Sequence, residues 1–193
     1  MKRILALAVL AVTLLTGAGD APAQQRRPPP AQVIMMTSPA WKDGDVIPSK
    51  HTQAGTEISP ALAWTSAPEG TESFVLIMRD LDGLSNLGTD THLYWMLWNI
   101  PKEARALPEG VPALEELPDG TRQISMAGPW YRGPAASITG PPHHYAFELF
   151  AVSAKIDVPA VGQSLAATEA AVRAAMSGKI LGKGTFIGLF KRN

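Results

Sequence analysis

The 193-residue sequence has no cysteine and only four histidines. Without cysteine there are no disulfides and no thiol nucleophile, so stability must come from a packed core. No serine stands in a G-x-S-x-G elbow, and no G-x-x-x-x-G-K loop is present to cradle a phosphate chain. The histidines never stand as H-x-x-x-H or H-x-H, the spacings that aim two imidazoles at one ion from a helix or a strand. Net charge is missing too: 17 basic side chains face 17 acidic ones. That balance makes no strong electrostatic case for nucleic acid or an anionic membrane surface.

The N-terminal apolar run is short. Ile4 to Thr16 is 13 residues long, follows Lys2 and Arg3, and precedes Ala21-Pro22-Ala23. This layout predicts a cleavable signal peptide over residues 1–23, cut near Ala23, and hence a periplasmic or secreted product with no stable membrane insertion. Losing Lys2, Arg3 and Asp20 from the two sets of 17 leaves a net charge of −1. Residues 24–32, QQRRPPPAQ, predict a flexible proline-rich lead-in, and residues 33–193 are long enough for one domain with its own core.

Proline and glycine, by contrast, are plentiful, with 17 of each. They gather in turn-forming stretches such as APEG, DLDGLSNLG, LPEGVP and LPDG, between short apolar segments rich in β-branched and aromatic residues. The expected strands are Val33–Met36, Phe74–Arg79, Leu93–Ile100, Tyr145–Ser153 and Thr185–Phe190. Phe74–Arg79 and Leu93–Ile100 are almost continuously apolar, which predicts burial on both faces. One segment reads as helix. Ser164 is an N-cap, Leu165, Thr168, Ala171, Val172, Ala175 and Met176 share a face, and Gly178 is a stop. The fold class is therefore mainly β, with one or two late helices. Trp41, Trp64, Trp95, Trp98 and Trp130 are expected in the core or a pocket wall.

Polar residues gather at three ends of the apolar strands: Asp80-Leu81-Asp82, Asp90-Thr91-His92, and the GPPHHYAFELFAV stretch that carries His143 and His144. Residues two apart on a strand share a face, so His92 goes with Tyr94 and His143 with Tyr145, while His144 points oppositely. If the strand ends meet, Asp80, His92, His143 and Tyr94 converge at one rim. Two imidazoles and a carboxylate suit zinc or non-haem iron, but adjacent histidines on an extended chain face opposite ways. Ser137, in RGPAASITG, has no nucleophile context. What the residue types support better is a small polar pocket. An imidazole donates to a carboxylate or phosphate oxygen, and a neighbouring aspartate sets its tautomer. That points to binding rather than catalysis, with no cofactor.

The order ISPALAW (58–64), SFVLIMRDLD (73–82), HLYWMLWNIP (92–101), LPEG (107–110) and GPWYRGP…GPPHHYAFELFAV (128–152) resembles the phosphatidylethanolamine-binding protein family, in its bacterial Raf kinase inhibitor-like branch. The resemblance covers roughly residues 33–190. It implies an antiparallel β-sandwich with a few short helices, one near the C-terminus, and a small pocket for phosphate, a carboxylate or a phosphoethanolamine head group. The family pattern D-P-D-x-P falls on Asp80 to Leu84, and H-R-Y on His143-His144-Tyr145. This implies Asp80 and His143 as ligand-binding residues, Asp82 as loop support, and Tyr131 at the rim. Leu81 and Leu84 replace the two prolines. Tyr94 stands where the family has its other pocket histidine, with His92 two residues earlier. Either Tyr94 or His92 is then the second donor. Two functions follow from the resemblance: an exported binder of small anions or phospholipid head groups, or an inhibitor or regulator of a partner peptidase or kinase.

Overall fold

The computed structural model describes residues 30–84, 91–135 and 138–192. The expected signal peptide, most of the lead-in, Asp90 and Ser137 lie outside the described residues. The strands are β1 (Gln32–Val33), β2 (Met36–Thr37), β3 (Leu62–Trp64), β4 (Ser73–Leu84), β5 (Thr91–Pro101), β6 (Ala106–Leu107), β7 (Arg122–Ser125), β8 (His143–Val152) and β9 (Ile180–Phe190). One α-helix, α1 (Leu165–Met176), precedes β9. Six strands form one sheet in the order β1-β9-β8-β4-β5-β7, and β2-β3-β6 form a second. Among these strand pairings only β1 with β9 is parallel. The fold is mainly β, as the turn-rich sequence predicts.

β4 is central because its side chains are apolar on both faces. Phe74, Leu76 and Met78 enter a core shared with Met36 on β2, Leu62 and Trp64 on β3, and Leu107 on β6. Val75 and Ile77 point the other way, into a cluster closed by Val172 and Met176 of α1. A sheet covers one face and a helix the other, which accounts for the lack of polar alternation in β4 and β5. The helix is built as predicted. The Ser164 hydroxyl accepts from Ala167 N at 3.2 Å. Thr168, Val172 and Met176 form its buried stripe, and Gly178 follows with φ of +74°.

Three expectations are corrected. Val33–Met36 is two strands, not one, because the chain leaves the large sheet after Val33 and joins the small one at Met36. β3, β6 and β7, of two to four residues each, were not anticipated, since so short a segment shows no periodicity. Trp130 is 41% exposed, unlike the other four tryptophans. Its ring lies against Gly128, where a Cβ would come within 2.3 Å of it.

Candidate functional site

The antiparallel pairing of β4 with β8 sets Asp80 opposite Tyr145, so the end of β4 meets the start of β8. Two aspartate–histidine pairs bridge this junction. His143 Nδ1 donates to Asp80 Oδ2 at 2.8 Å, and His144 Nδ1 donates to Asp82 Oδ2 at 2.9 Å. The first pair is sunk into the protein: side-chain exposure is 4% for Asp80 and 25% for His143. The second lies at the surface, at 44% and 54%.

Asp80 is held by its own turn. Its Oδ1 accepts from the backbone N–H of Asp82 and of Gly83, both at 3.0 Å. The side chain thereby organises the bend that proline would otherwise stiffen, which compensates for Leu81 and Leu84. The carboxylate thus receives three hydrogen bonds, and its histidine is fixed with Nδ1 inward.

On the other flank β4 pairs with β5, setting Asp80 opposite His92. The register slips by one residue between Met78↔Trp95 and Arg79↔Leu93. Tyr94 is the residue left over, a bulge that turns Tyr94 and Trp95 into the same core while Leu93 joins the opposite one. Tyr94 thereby meets Tyr145 edge-on, ring centroids 5.2 Å apart. Ala135 N donates to the Tyr145 hydroxyl at 3.3 Å. Burial pushes both phenols above their ordinary range, and the nearby Asp80 carboxylate adds to the effect. Both therefore stay protonated at any physiological pH.

Residues 37–191 match the profile of the family described as phosphatidylethanolamine-binding protein. The chain belongs to this family. An uncharacterised-family protein (UPF0098) of Aquifex aeolicus is 37% identical over 83% of this chain and 90% of its own length. YbhB of Escherichia coli is 36% identical over 61% of this chain and 77% of its own. Among solved structures, Escherichia coli YbcL, described as a member of the mammalian PEBP family, has a TM-score of 0.66 at 24% identity, covering 83% of this chain and all but 1% of its own (99%). These place the chain in the YbhB/YbcL-type branch.

Within this phosphatidylethanolamine-binding protein fold, the anticipated residues separate into four groups. Asp80, His143 and Tyr94 come together with Tyr145. His92 is half-buried beside Asp80, its imidazole without a hydrogen bond to another described residue. Asp82 pins the β4 end to β8, accepting from His144 N at 2.6 Å as well as from its ring. These bonds hold its carboxyl below the usual range, the backbone N–H contributing most.

Tyr131 is not at the rim. It is 5% exposed, its ring abuts Trp95 at 5.1 Å, and its hydroxyl donates to the His51 carbonyl at 2.8 Å. Its place is in a buttress. Arg132 bonds Glu57 at 3.2 Å and Gln53 at 2.7 Å, and Gly133 N donates to Glu57 Oε1 at 3.0 Å. Glu57 itself sits in the left-handed region, φ 58°. A Cβ on Gly133 would approach the His51 carbonyl to 2.6 Å, so only glycine lets the two segments dock. The turn around His51 thus fixes the segment that ends in Ala135 N, the donor to Tyr145.

Two contributors escaped the sequence reading. Tyr145 was legible as sharing the face of His143, but its edge-on contact with Tyr94 depends on the bulge. His51 sits under the 131–135 segment, fully buried, with Nδ1 donating to the Ile58 carbonyl at 2.7 Å. No motif marks it.

Proposed function

We propose that this member of the family is an exported protein that binds a small oxyanion at the Asp80–His143 pair: phosphate, a carboxylate or a phosphoethanolamine head group. The observation that carries the reading is a buried carboxylate with three hydrogen bonds, fixing an imidazole whose side chain remains a quarter exposed, with Tyr94 and Tyr145 near the same carboxylate. With Nδ1 committed to Asp80, Nε2 is the nitrogen free to face a ligand, and a protonated imidazole there is a charge-assisted donor. The phenols are poor nucleophiles while protonated, so the arrangement suits holding an anion more than attacking one, and we read the protein as a binder and not an enzyme, needing no cofactor.

Export rests on the basic, apolar and small-residue order of the first 23 residues. A relative in Mycobacterium tuberculosis, 27% identical over 83% of this chain, is named as a lipoprotein, LppC, which agrees with an envelope location.

Titration of the mature protein with inorganic phosphate and with acetate at pH 6, followed by histidine ring NMR shifts, tests the site. Saturable shifts of His143 that vanish in His143→Ala are expected. Unchanged binding in that variant places the anion elsewhere.

A further inference from the structure

We infer that the turn over residues 49–58 is an acid-released latch on the 131–135 segment, with the buried imidazole of His51 as its trigger. The inference stands apart from the anion-site reading, since none of the groups proposed to hold the anion takes part in it.

The trigger is defined by what surrounds it. His51 is wholly buried, and its Nδ1 donates to the Ile58 carbonyl at 2.7 Å. The single proton of the neutral ring is thereby placed on Nδ1. Nε2 is left as a bare lone pair, without a hydrogen-bond partner among the described residues. A second proton can go only there. The carboxylate facing Nε2 is Glu109, at 3.8 Å too far to accept and already bonded to Lys50 at 2.8 Å. Lys50 adjoins His51 in the chain, and its charge opposes another. Trp41 offers a neutral ring at 6.0 Å. Across the joint Arg132 is paired with Glu57, and burial keeps the Tyr131 phenol protonated. Burial likewise holds the imidazole below its ordinary value; the Ile58 bond opposes this, Lys50 reinforces it and Glu109 opposes it.

The latch is the set of bonds this turn makes. The His51 carbonyl accepts from the Tyr131 hydroxyl at 2.8 Å, and Gly133 packs on the same oxygen. Gln53 N donates to the Pro134 carbonyl at 3.0 Å, and its side-chain amide to the Gly133 carbonyl at 2.8 Å. Glu57, which receives Gly133 N and Arg132, is held at positive φ. Apart from the short 3-10 helix Ser49–His51 the turn is irregular chain, which opens at lower cost than a paired sheet. An imidazolium buried without an acceptor favours the open turn, where the ring is hydrated and takes its proton near the ordinary value. The released state thus holds more protons than the closed one. Closure is favoured at neutral pH and is lost as pH falls below 6.5 toward the lower value of the closed state.

Amide hydrogen exchange, corrected for the intrinsic effect of pH, reads the latch directly. Gln53 N reports the joint, Ile58 N, bonded to the Lys50 carbonyl at 3.0 Å, reports the turn, and the amides of β4 and β8 report the sheet. Between about pH 7.5 and about pH 5, protection of Gln53 and Ile58 is expected to fall by roughly 10-fold, while that of the sheet holds within about 2-fold. An equal fall in the sheet makes His51 a contributor to overall stability and overturns the latch, as does unchanged protection at Gln53. The other three histidines lie at the ends of β5 and β8, so a variant at His51 separates their effect. His51→Asn keeps a donor for the Ile58 carbonyl but takes no proton, and the fall in acid should disappear; its persistence overturns the assignment. Two substitutions at exposed side chains decide the matter should that variant fail to fold. Lys50→Gln removes the opposing charge and should shrink the fall, whereas Glu109→Gln removes the facing carboxylate and should enlarge it, each by about 2-fold. Changes of the same sign, or none, overturn the role of His51, because a merely structural contact gives no reason for opposite ones.

Discussion

Two aspartate–histidine pairs sit side by side where β4 meets β8, made from the same residue types and nearly the same distance, 2.8 Å against 2.9 Å. They differ in water. Asp80–His143 is taken into the protein, with Asp80 also closing its own turn, whereas Asp82–His144 faces solvent. In high dielectric an ion pair contributes about 0–1 kcal/mol, because water competes for both partners and holding two side chains costs entropy. Behind a low-dielectric wall the same geometry is harder to replace, since removing one partner leaves the rest without hydrogen bonds. Identical chemistry thus yields a sheltered pair in one place and a surface fastening in the other.

The largest break in this comparison is expected from truncating the two carboxylates. Asp80→Ala leaves two backbone N–H groups and a histidine without an acceptor, and should lower unfolding stability by about 2–4 kcal/mol in denaturant titrations while abolishing anion binding. Asp82→Ala should lower it by no more than about 1 kcal/mol. Similar losses for both would mean that burial does not separate the pairs.

Next come the imidazoles, read by ligand titration. His143→Ala should weaken phosphate binding at pH 6 by roughly 10-fold or more, as expected for a lost charge-assisted bond. His144→Ala should change it by less than about 2-fold. A smaller effect is expected for Tyr145→Phe, which removes the hydroxyl that accepts from Ala135 N: about 1 kcal/mol of stability, with a modest loss of affinity.

The smallest effect is in acid. The folded-state pKa of Asp82 is depressed from 3.8. Its contribution is therefore present above that value and lost as pH falls through the folded one. Melting temperature should drop slightly more steeply below about pH 4 in the parent than in Asp82→Asn. Parallel slopes would remove Asp82 as the source.

Much of this was legible in the chain. α1 could be read to the residue because a cap, a stripe and a stop agreed. β4 and β5 were legible as buried on both faces, though not their full length, since polar ends such as Asp80 to Leu84 show no strand pattern. β3, β6 and β7 were not legible, being too short for periodicity and defined only by their partners. At the site, Asp80 and His143 were marked by family motifs, and alternation correctly separated His143 from His144. The choice between Tyr94 and His92 was open in the sequence. A one-residue slip in the β4–β5 register brings the Tyr94 ring against that of Tyr145 and leaves His92 beside Asp80.

By itself, then, the sequence determined what depends on local pattern and residue type: a cysteine-free, mainly β chain of a recognisable family, its helix, its central strands, and the kinds of side chain available at their ends. Tertiary structure decided which of those side chains meet, and which of two like pairs is dry. Tyr131 illustrates the division. The family resemblance implies a rim, yet docking on the turn at His51 buries its hydroxyl against a backbone carbonyl. Burial and register arise from contacts between residues far apart in the chain, such as Asp80 with His143 and Tyr131 with His51. No local window contains both partners.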